Sequence, residues 1–305
     1  MSVNVLPSPD RDAPTPERIL HRLDWRVIRR LDGLLQGDYR TLFYGDGLDF
    51  ADLREYQLQD DVRHIDWNVT ARMNSLYVRQ YVEDRDITAW FLLDLTPSMG
   101  FGPVGRPKET VLVDLVTTLA RLLTRNGNRV GAILYNNRIE RTIPPHSGRI
   151  QVLRLTRELL GETQVPGKTT TDLTVLLKAG LNTFKRRSLV FVISDFISEP
   201  GWERPLALLN RRHELVGIHL WDPREVALPD AGLIVVEDSE TGQQIYVDTS
   251  NPEFRRRFRE AAERREATLK KNLTRAGVDL FAISTEEDLV GAIVRMAAAR
   301  KKRRR

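Results

Sequence analysis

The chain has 305 residues, of which 41% are hydrophobic, no cysteine, and a formal net charge of +5. That length and apolar content support a sizeable core in one large domain or in a domain with a smaller companion, and the missing cysteine excludes disulfides, thiolate chemistry and Cys-based metal sites. Six positive charges sit in Arg300–Arg305, so the basicity belongs to one end and the rest of the chain is near neutral.

Residues 1–15 are rich in Pro and Asp without periodicity and are expected to form a disordered tail. Met1–Pro7 has neither the basic nor the apolar region of a secretory leader, and no segment approaches the run of about 18 apolar residues that spans a bilayer, so the expected location is cytoplasmic. From Pro16, Ile19, Leu20, Leu23, Val27, Ile28, Leu31, Leu34 and Leu35 recur at intervals of three and four, with arginines on the other face. This predicts an amphipathic helix closed by Gly33 and Gly37. A stretch rich in Gly, Asp and aromatics leads to Leu76–Val82, whose alternation predicts a half-buried strand, and residues 16–86 form an amino-terminal α+β segment.

After Asp86 the spacing predicts strands at 88–95, 129–135, 138–143, 188–195, 214–221 and 278–283. Helices are predicted at about 107–125, 148–160, 171–185, 202–211, 252–275 and 286–298. Alternation of this kind gives an α/β fold, a doubly wound, mostly parallel six-stranded sheet covered on both faces, here over residues 87–298. Leu233–Val247, turning at Glu240–Gln243, reads as an inserted hairpin. Residues 299–305 are left as a basic tail. It is read as a solvated end, with weak contact to an anionic surface as the functional alternative and no specific nucleic acid implied.

The chemistry concentrates where apolar strands end. Thr88–Leu93 runs into Asp94-Leu95-Thr96-Pro97-Ser98, presenting a carboxylate and two hydroxyls one residue apart. Oxygen-only ligation suits Mg²⁺, with Mn²⁺ as the alternative, rather than Zn²⁺. Ligands of a doubly wound sheet bind outside the carboxyl ends of its strands, which brings in two further loops, Gly167–Asp172 before a helix and Ser194-Asp195 after a strand. The bland reading is a strand end whose Asp, Thr and Ser cap the next turn.

Together the three loops resemble the metal-ion-dependent adhesion site of von Willebrand factor A domains. By that resemblance Asp94, Thr96, Ser98, Thr171 and Asp195 are the metal site, with Thr169 and Thr170 as alternatives to Thr171. Upstream, Leu53–Gln57, Asp60–Trp67 and Ala71-Arg72 resemble the signature of the bacterial domain-of-unknown-function family fifty-eight, a likeness that covers the chain from about Leu23 to the final helix. Members of that family carry an A-type domain and commonly accompany MoxR-type AAA+ ATPases. The resemblance therefore implies a non-enzymatic adaptor or co-chaperone whose Mg²⁺ captures an acidic residue of a protein partner, that ATPase or its client.

Competing readings use the same residues. Asp94 also resembles the nucleophile of phosphoaspartyl-type phosphatases, which need an acid two residues on, where this chain has Thr96. Gly100–Gly105 matches Gly-x-Gly-x-x-Gly, but five residues separate it from Asp94 and no acid follows the next strand, so loop flexibility accounts for it. His21, His64, His146, His213 and His219 form no pair at helical spacing and are read as structural. Asp60, Asp61, Arg63, Asp66 and Trp67 suggest an ion-pair lattice, and Phe254, Phe258, Leu269 and Leu273 the buried stripe of a basic helix.

Overall fold

The computed structural model describes residues 14–35, 52–57, 62, 65–73, 75–80, 87–161, 170–238 and 242–303. The expectations for residues 1–13, for Asp60, Asp61, Arg63 and His64, for Gly167–Thr169 and for Arg304-Arg305 lie outside that set.

The amino-terminal helix begins at Thr15, whose side chain accepts from the Arg18 amide at 3.3 Å. It runs as α1 (Pro16–Leu23), a π-helical turn (Asp24–Ile28) and α2 (Arg29–Leu35). Strand β1 (Asp52–Glu55) pairs antiparallel with β2 (Tyr77–Gln80), and between them lies the short helix α3 (Trp67–Met73). Asp66 accepts from the Val69 amide at 3.2 Å at the start of α3, while Trp67 is exposed. Neither β1 nor α3 is predicted above, because four and seven residues are too short for a periodicity to register.

The main sheet contains β3 (Thr88–Asp94), β4 (Arg129–Asn136), β5 (Arg138–His146), β6 (Leu189–Ser194), β7 (Glu214–Trp221) and β10 (Asp279–Ser284), in spatial order β10-β7-β6-β3-β4-β5. All neighbours are parallel except β4 and β5, which form an antiparallel hairpin. A six-stranded, mostly parallel sheet in a mixed α/β fold is therefore present as expected, and each strand falls within a few residues of its predicted span. The hairpin β8 (Leu233–Glu237) and β9 (Gln244–Asp248) is present too, as a separate two-stranded sheet.

Helices cover both faces. Ala89, Phe91 and Leu93 of β3 point into one apolar layer with Leu112, Leu119, Leu155 and Ile293, whereas Trp90 and Leu92 point into the other with Leu176, Leu206 and Leu273. This is the two-residue side-chain alternation of a strand, and because both faces are dry the strand reads as a continuous apolar run. The first layer is built by α4 (Lys108–Arg125), α5 (Arg149–Gly161), α9 (Leu289–Arg303) and the amino-terminal helix. The second is built by α6 (Leu173–Thr183), α7 (Glu203–Arg212) and α8 (Pro252–Ala276).

Two boundaries differ from expectation. Ile19, Leu20, Leu23, Val27, Ile28 and Leu31 belong to the same core as the sheet, so the amino-terminal helix is an integral wall of that layer and not part of a separate segment. At the other end α9 continues to Arg303, past the boundary drawn at 298. Arg300 is 5% exposed and pairs with Glu214, which leaves it outside any solvated tail. Along α8 the buried stripe is Ala262, Leu269 and Leu273, while Phe254 is exposed. Among the described residues, no helix is long and apolar enough to cross a membrane.

Candidate metal centre

Strand β3 lies between β4 and β6, so its carboxyl end opens beside the ends of both neighbours. Asp94 is its last residue and is fully buried. Its Oδ1 accepts from the Thr96 amide at 3.1 Å and from the Thr96 hydroxyl at 2.7 Å, and its Oδ2 accepts from the Ser194 hydroxyl at 2.6 Å. Thr96 Oγ1 lies 3.3 Å from Ser98 Oγ. Pro97 and Ser98 open a short 3₁₀ turn (Pro97–Gly100), and the Leu95 amide is fixed to the Tyr135 carbonyl of β4 at 2.8 Å. Proline suits the first position of such a turn because its φ is already set and it has no amide hydrogen to leave unpaired.

On the β6 side, Ser194 does two jobs. Its hydroxyl donates to Asp94 and accepts from the Phe196 amide at 2.8 Å. Phe196 holds a left-handed backbone at φ +56, a conformation that costs a non-glycine residue about 1–3 kcal/mol and persists only where its surroundings enforce it. Between these residues Asp195 is 3% exposed. Its Oδ1 accepts from the Ile197 amide at 3.0 Å and its Oδ2 from Lys108 Nζ at 2.7 Å.

Lys108 is the residue that sequence reasoning missed. It is the first residue of α4, its side chain has no exposed surface, and its ammonium also reaches Glu225 Oε1 at 2.6 Å. Glu225 is aimed by the 3₁₀ turn Pro223–Glu225, in which its Oε2 accepts from the Asp222 amide at 2.9 Å. A signal existed in the sequence. A cation in the first turn opposes the helix macrodipole, and following Pro107 it implies a nearby acid.

The third loop joins the same neighbourhood. The Thr171 carbonyl accepts from the Glu199 amide at 2.8 Å, the Leu173 amide donates to Ser198 Oγ at 3.0 Å, and the Asp172 amide donates to Tyr135 Oη at 2.9 Å. Thr171 is buried and Thr170 is exposed, while Thr169 lies outside the described residues. Asp94, Thr96, Ser98 and Ser194 thus form one hydrogen-bonded group continuous in chain with Asp195. The Thr171 loop is tied to Ser198 and Glu199, three and four residues beyond Asp195.

Electrostatics separates the members. Burial, then the charge of Asp195, pushes the Asp94 carboxyl up to about 6, against the lowering effect of its hydroxyl and amide donors. Burial pulls Lys108 down, but the charges of Asp195 and Glu225 outweigh it and the net shift is upward. His219 of β7, opposite Ser194 in register, is lowered to about 4 by burial, with Asp195 opposing and Lys108 adding to the shift.

The donor set can be tested against a hard cation. Octahedral Mg²⁺ with bonds of about 2.1 Å sets neighbouring ligand oxygens about 3 Å apart, and the successive spacings Asp94 Oδ1 to Thr96 Oγ1 to Ser98 Oγ are 2.7 and 3.3 Å. Those three residues fit. Asp195 fits less well as a direct ligand, because one of its oxygens is already held by the full positive charge of Lys108. Among the described residues no group of three or more His, Cys, Asp or Glu is placed to hold a metal, so hydroxyls would carry the coordination. Beside the centre, Asp195, Glu225, His219, Trp202 and Trp221 line a cavity of about 740 Å³ roofed by α8.

The family model described as "Protein of unknown function DUF58" matches residues 52–268. The chain is 34% identical over 295 residues to the uncharacterized proteins Rv1480 of Mycobacterium tuberculosis and Mb1516 of Mycobacterium bovis, covering 96% of this chain and 92% of each relative. Among solved structures, an aerotolerance-related membrane protein from Bacteroides fragilis is similar at a TM-score of 0.49 and 14% identity, over 71% of this chain and 99% of that one.

Proposed function

This chain belongs to the DUF58 family, and we propose that it is a metal-dependent protein-binding adaptor of the von Willebrand factor A type, working with a MoxR-type AAA+ ATPase or that ATPase's client. The observation that carries this reading is the row of oxygens from Asp94, Thr96 and Ser98, at octahedral spacing and at the carboxyl edge of a parallel sheet. Asp94, Thr96 and Ser98 would hold the ion, with Thr171 and Asp195 as the further residues that the adhesion-site resemblance supplies. When bound, Mg²⁺ supplies an electrophilic position open to a carboxylate.

The protein's own residues do the rest. Thr96 and Ser98 are neutral and leave the ion's charge undiminished, which favours an incoming acid. Ser98 is the least enclosed of the three, at 6% exposure against 0% for Asp94 and Thr96. Ser194 orients Asp94 through Oδ2 and leaves Oδ1 turned to the row. Binding is favoured over phosphoryl transfer because the residue two past Asp94 is Thr96, whose hydroxyl donates to that carboxylate and offers no acid.

Titration calorimetry with MgCl₂ on the wild type and on the double variant Asp94→Ala, Ser98→Ala checks the metal. Heat of binding should appear in the first and vanish in the second with the fold intact; identical traces would remove the metal reading. Capture of the MoxR-type partner should then require Mg²⁺ and fail in EDTA. A phosphatase would instead show acid-labile phosphate on Asp94 and turn over a generic phosphoester.

A further inference from the structure

The adhesion-type reading leaves Lys108 unused, although it is a cation with no exposed side-chain surface. A lysine enclosed to that degree keeps its charge only with acids in direct contact, and this one has two, Asp195 Oδ2 at 2.7 Å and Glu225 Oε1 at 2.6 Å. The two acids are held differently. Asp195 sits on the left-handed turn beside Asp94, with its other oxygen on the Ile197 amide. Glu225 stands on the far side, locked by the Asp222 amide in a capping box whose Asp222 also receives the Thr285 hydroxyl at 2.5 Å. The ammonium therefore bridges a carboxylate of the metal centre and one outside it.

We propose that Lys108 is the resident cation of this site: it competes with the divalent ion for Asp195 and sets its affinity, while Glu225 retains the ammonium when the ion takes hold. The inference rests on the metal reading above and deepens it. A divalent ion at Asp94, Thr96 and Ser98 and an ammonium on Asp195 are like charges around one buried pair of acids, so each weakens the other's hold. Moving the ammonium fully onto Glu225 relieves that repulsion without exposing or deprotonating it, since Glu225 is already within hydrogen-bond distance. The rigid support of Glu225 is what makes it a retaining acid; a surface glutamate on a free loop would swing away with the charge. Asp195 would serve in this arrangement as the exchange point, held by the ammonium as the structure shows it and available to the ion once the ammonium rests on Glu225.

Lys108 and its retaining acid Glu225 then predict opposite outcomes, which a purely structural ion pair does not. Lys108→Met removes the competitor and should tighten Mg²⁺ binding at least about tenfold, whereas Glu225→Gln leaves the ammonium on Asp195 alone and should weaken binding several-fold. A structural role would impair both variants alike. The measurement is titration calorimetry of full-length protein with MgCl₂, with thermal melting in EDTA and in MgCl₂ as a second readout. Should Lys108→Met fail to fold, the double variant Lys108→Met, Glu225→Gln, which leaves Asp195 as the lone charge of the trio, takes its place with the same expectation.

If the wild type binds and the Lys108 variant binds no more tightly, the inference is overturned and the metal reading stands. If the wild type is silent and the variant binds, the inference holds and the metal reading of the wild type falls. Silence in both overturns both.

Discussion

Strands β3 and β6 are neighbours, run parallel, are buried along nearly their whole length and each delivers an aspartate at its carboxyl end, yet the two acids are accommodated by opposite means. Asp94 is surrounded by neutral donors, two hydroxyls and one amide. Asp195 receives one amide and a buried ammonium. Neutral donors spread a charge without cancelling it, and the consequence is visible in the Asp94 carboxyl, raised to about 6 by burial and by Asp195. The β3 end is thus short of positive charge and the β6 end already has its own. The proposed divalent cation would therefore take its place on the β3 side.

The comparison breaks most severely if the internal charge is removed from the β6 side. Lys108→Ala leaves Asp195 and Glu225 enclosed without a counter-charge, and removing one partner of a buried pair costs about 3–5 kcal/mol. Urea denaturation at pH 7.5 in EDTA should show that loss, and the added variant Glu225→Gln should return part of it by deleting one of the stranded charges. A loss below about 1 kcal/mol would mean that the enclosed ammonium is far better hydrated than its geometry implies.

On the β3 side the informative variable is pH. A carboxyl whose folded pKa lies near 6, above the ordinary 3.8 of an aspartate, takes up its proton in the folded state first. Its contribution therefore becomes more favourable as pH falls from about 6 to about 4, and its charged form is a burden above pH 6. At 1.36 kcal/mol per pH unit the swing is on the order of 3 kcal/mol. Asp94→Asn should be more stable than the wild type in EDTA at pH 7.5 and lose that advantage by pH 4. Parallel pH profiles for the two proteins would show that Asp94 is not under charge stress.

Much of this was legible in the sequence, for identifiable reasons. The runs Trp90–Leu93 and Leu189–Ile193 are apolar at every position, which only a strand buried on both faces needs, and they place both aspartates at strand ends before any contact is known. Thr171 stands out from its neighbour Thr170 by burial, which spacing alone left open. The position of Lys108 in a first helical turn hints at an acid nearby, but which acids was illegible, because its partners lie 87 and 117 positions away, on turns that only the sheet topology brings to the start of α4. Ser194 was named only as part of a loop. Its bond to Asp94 crosses from one strand to the next, and a register between parallel strands joined by long crossovers is not written in either strand. The antiparallel pairing of β1 with β2 escaped because the four residues of β1 are too few to register as a strand, with the whole of α3 between the two.

Ser194→Ala sharpens the comparison with a smaller change. The hydroxyl donates to a buried carboxylate and accepts from the Phe196 amide, so its loss removes a hydrogen bond to a charged group, worth about 1.5–3 kcal/mol, and strands an amide. The cost should be larger at pH 7.5, where Asp94 carries its charge, than at pH 4.5, where it does not. Equal costs at both pH values would place the loss in the Phe196 turn and not in Asp94.

The smallest effect carries the opposite sign and comes from His219, on the strand after β6. Burial lowers it to about 4, against the pull of Asp195 and with the push of Lys108, so the folded protein holds this imidazole neutral while the unfolded chain protonates it near 6.5. A depressed histidine leaves stability intact above about pH 6.5 and erodes it as pH falls toward 4, over nearly the same interval in which Asp94 gains. His219 is only partly buried, and after discounting for solvent screening its share is about 1 kcal/mol. His219→Gln should therefore steepen the net gain in stability between pH 6.5 and pH 4, and Asp94→Asn should flatten or reverse it. Because the two residues flank Asp195 from different strands, the pair of pH profiles separates the neutral-donor side of the site from the side that Lys108 controls. A His219 variant that melts in parallel with the wild type across this range would show that the imidazole takes up protons in the folded state as freely as in the unfolded chain.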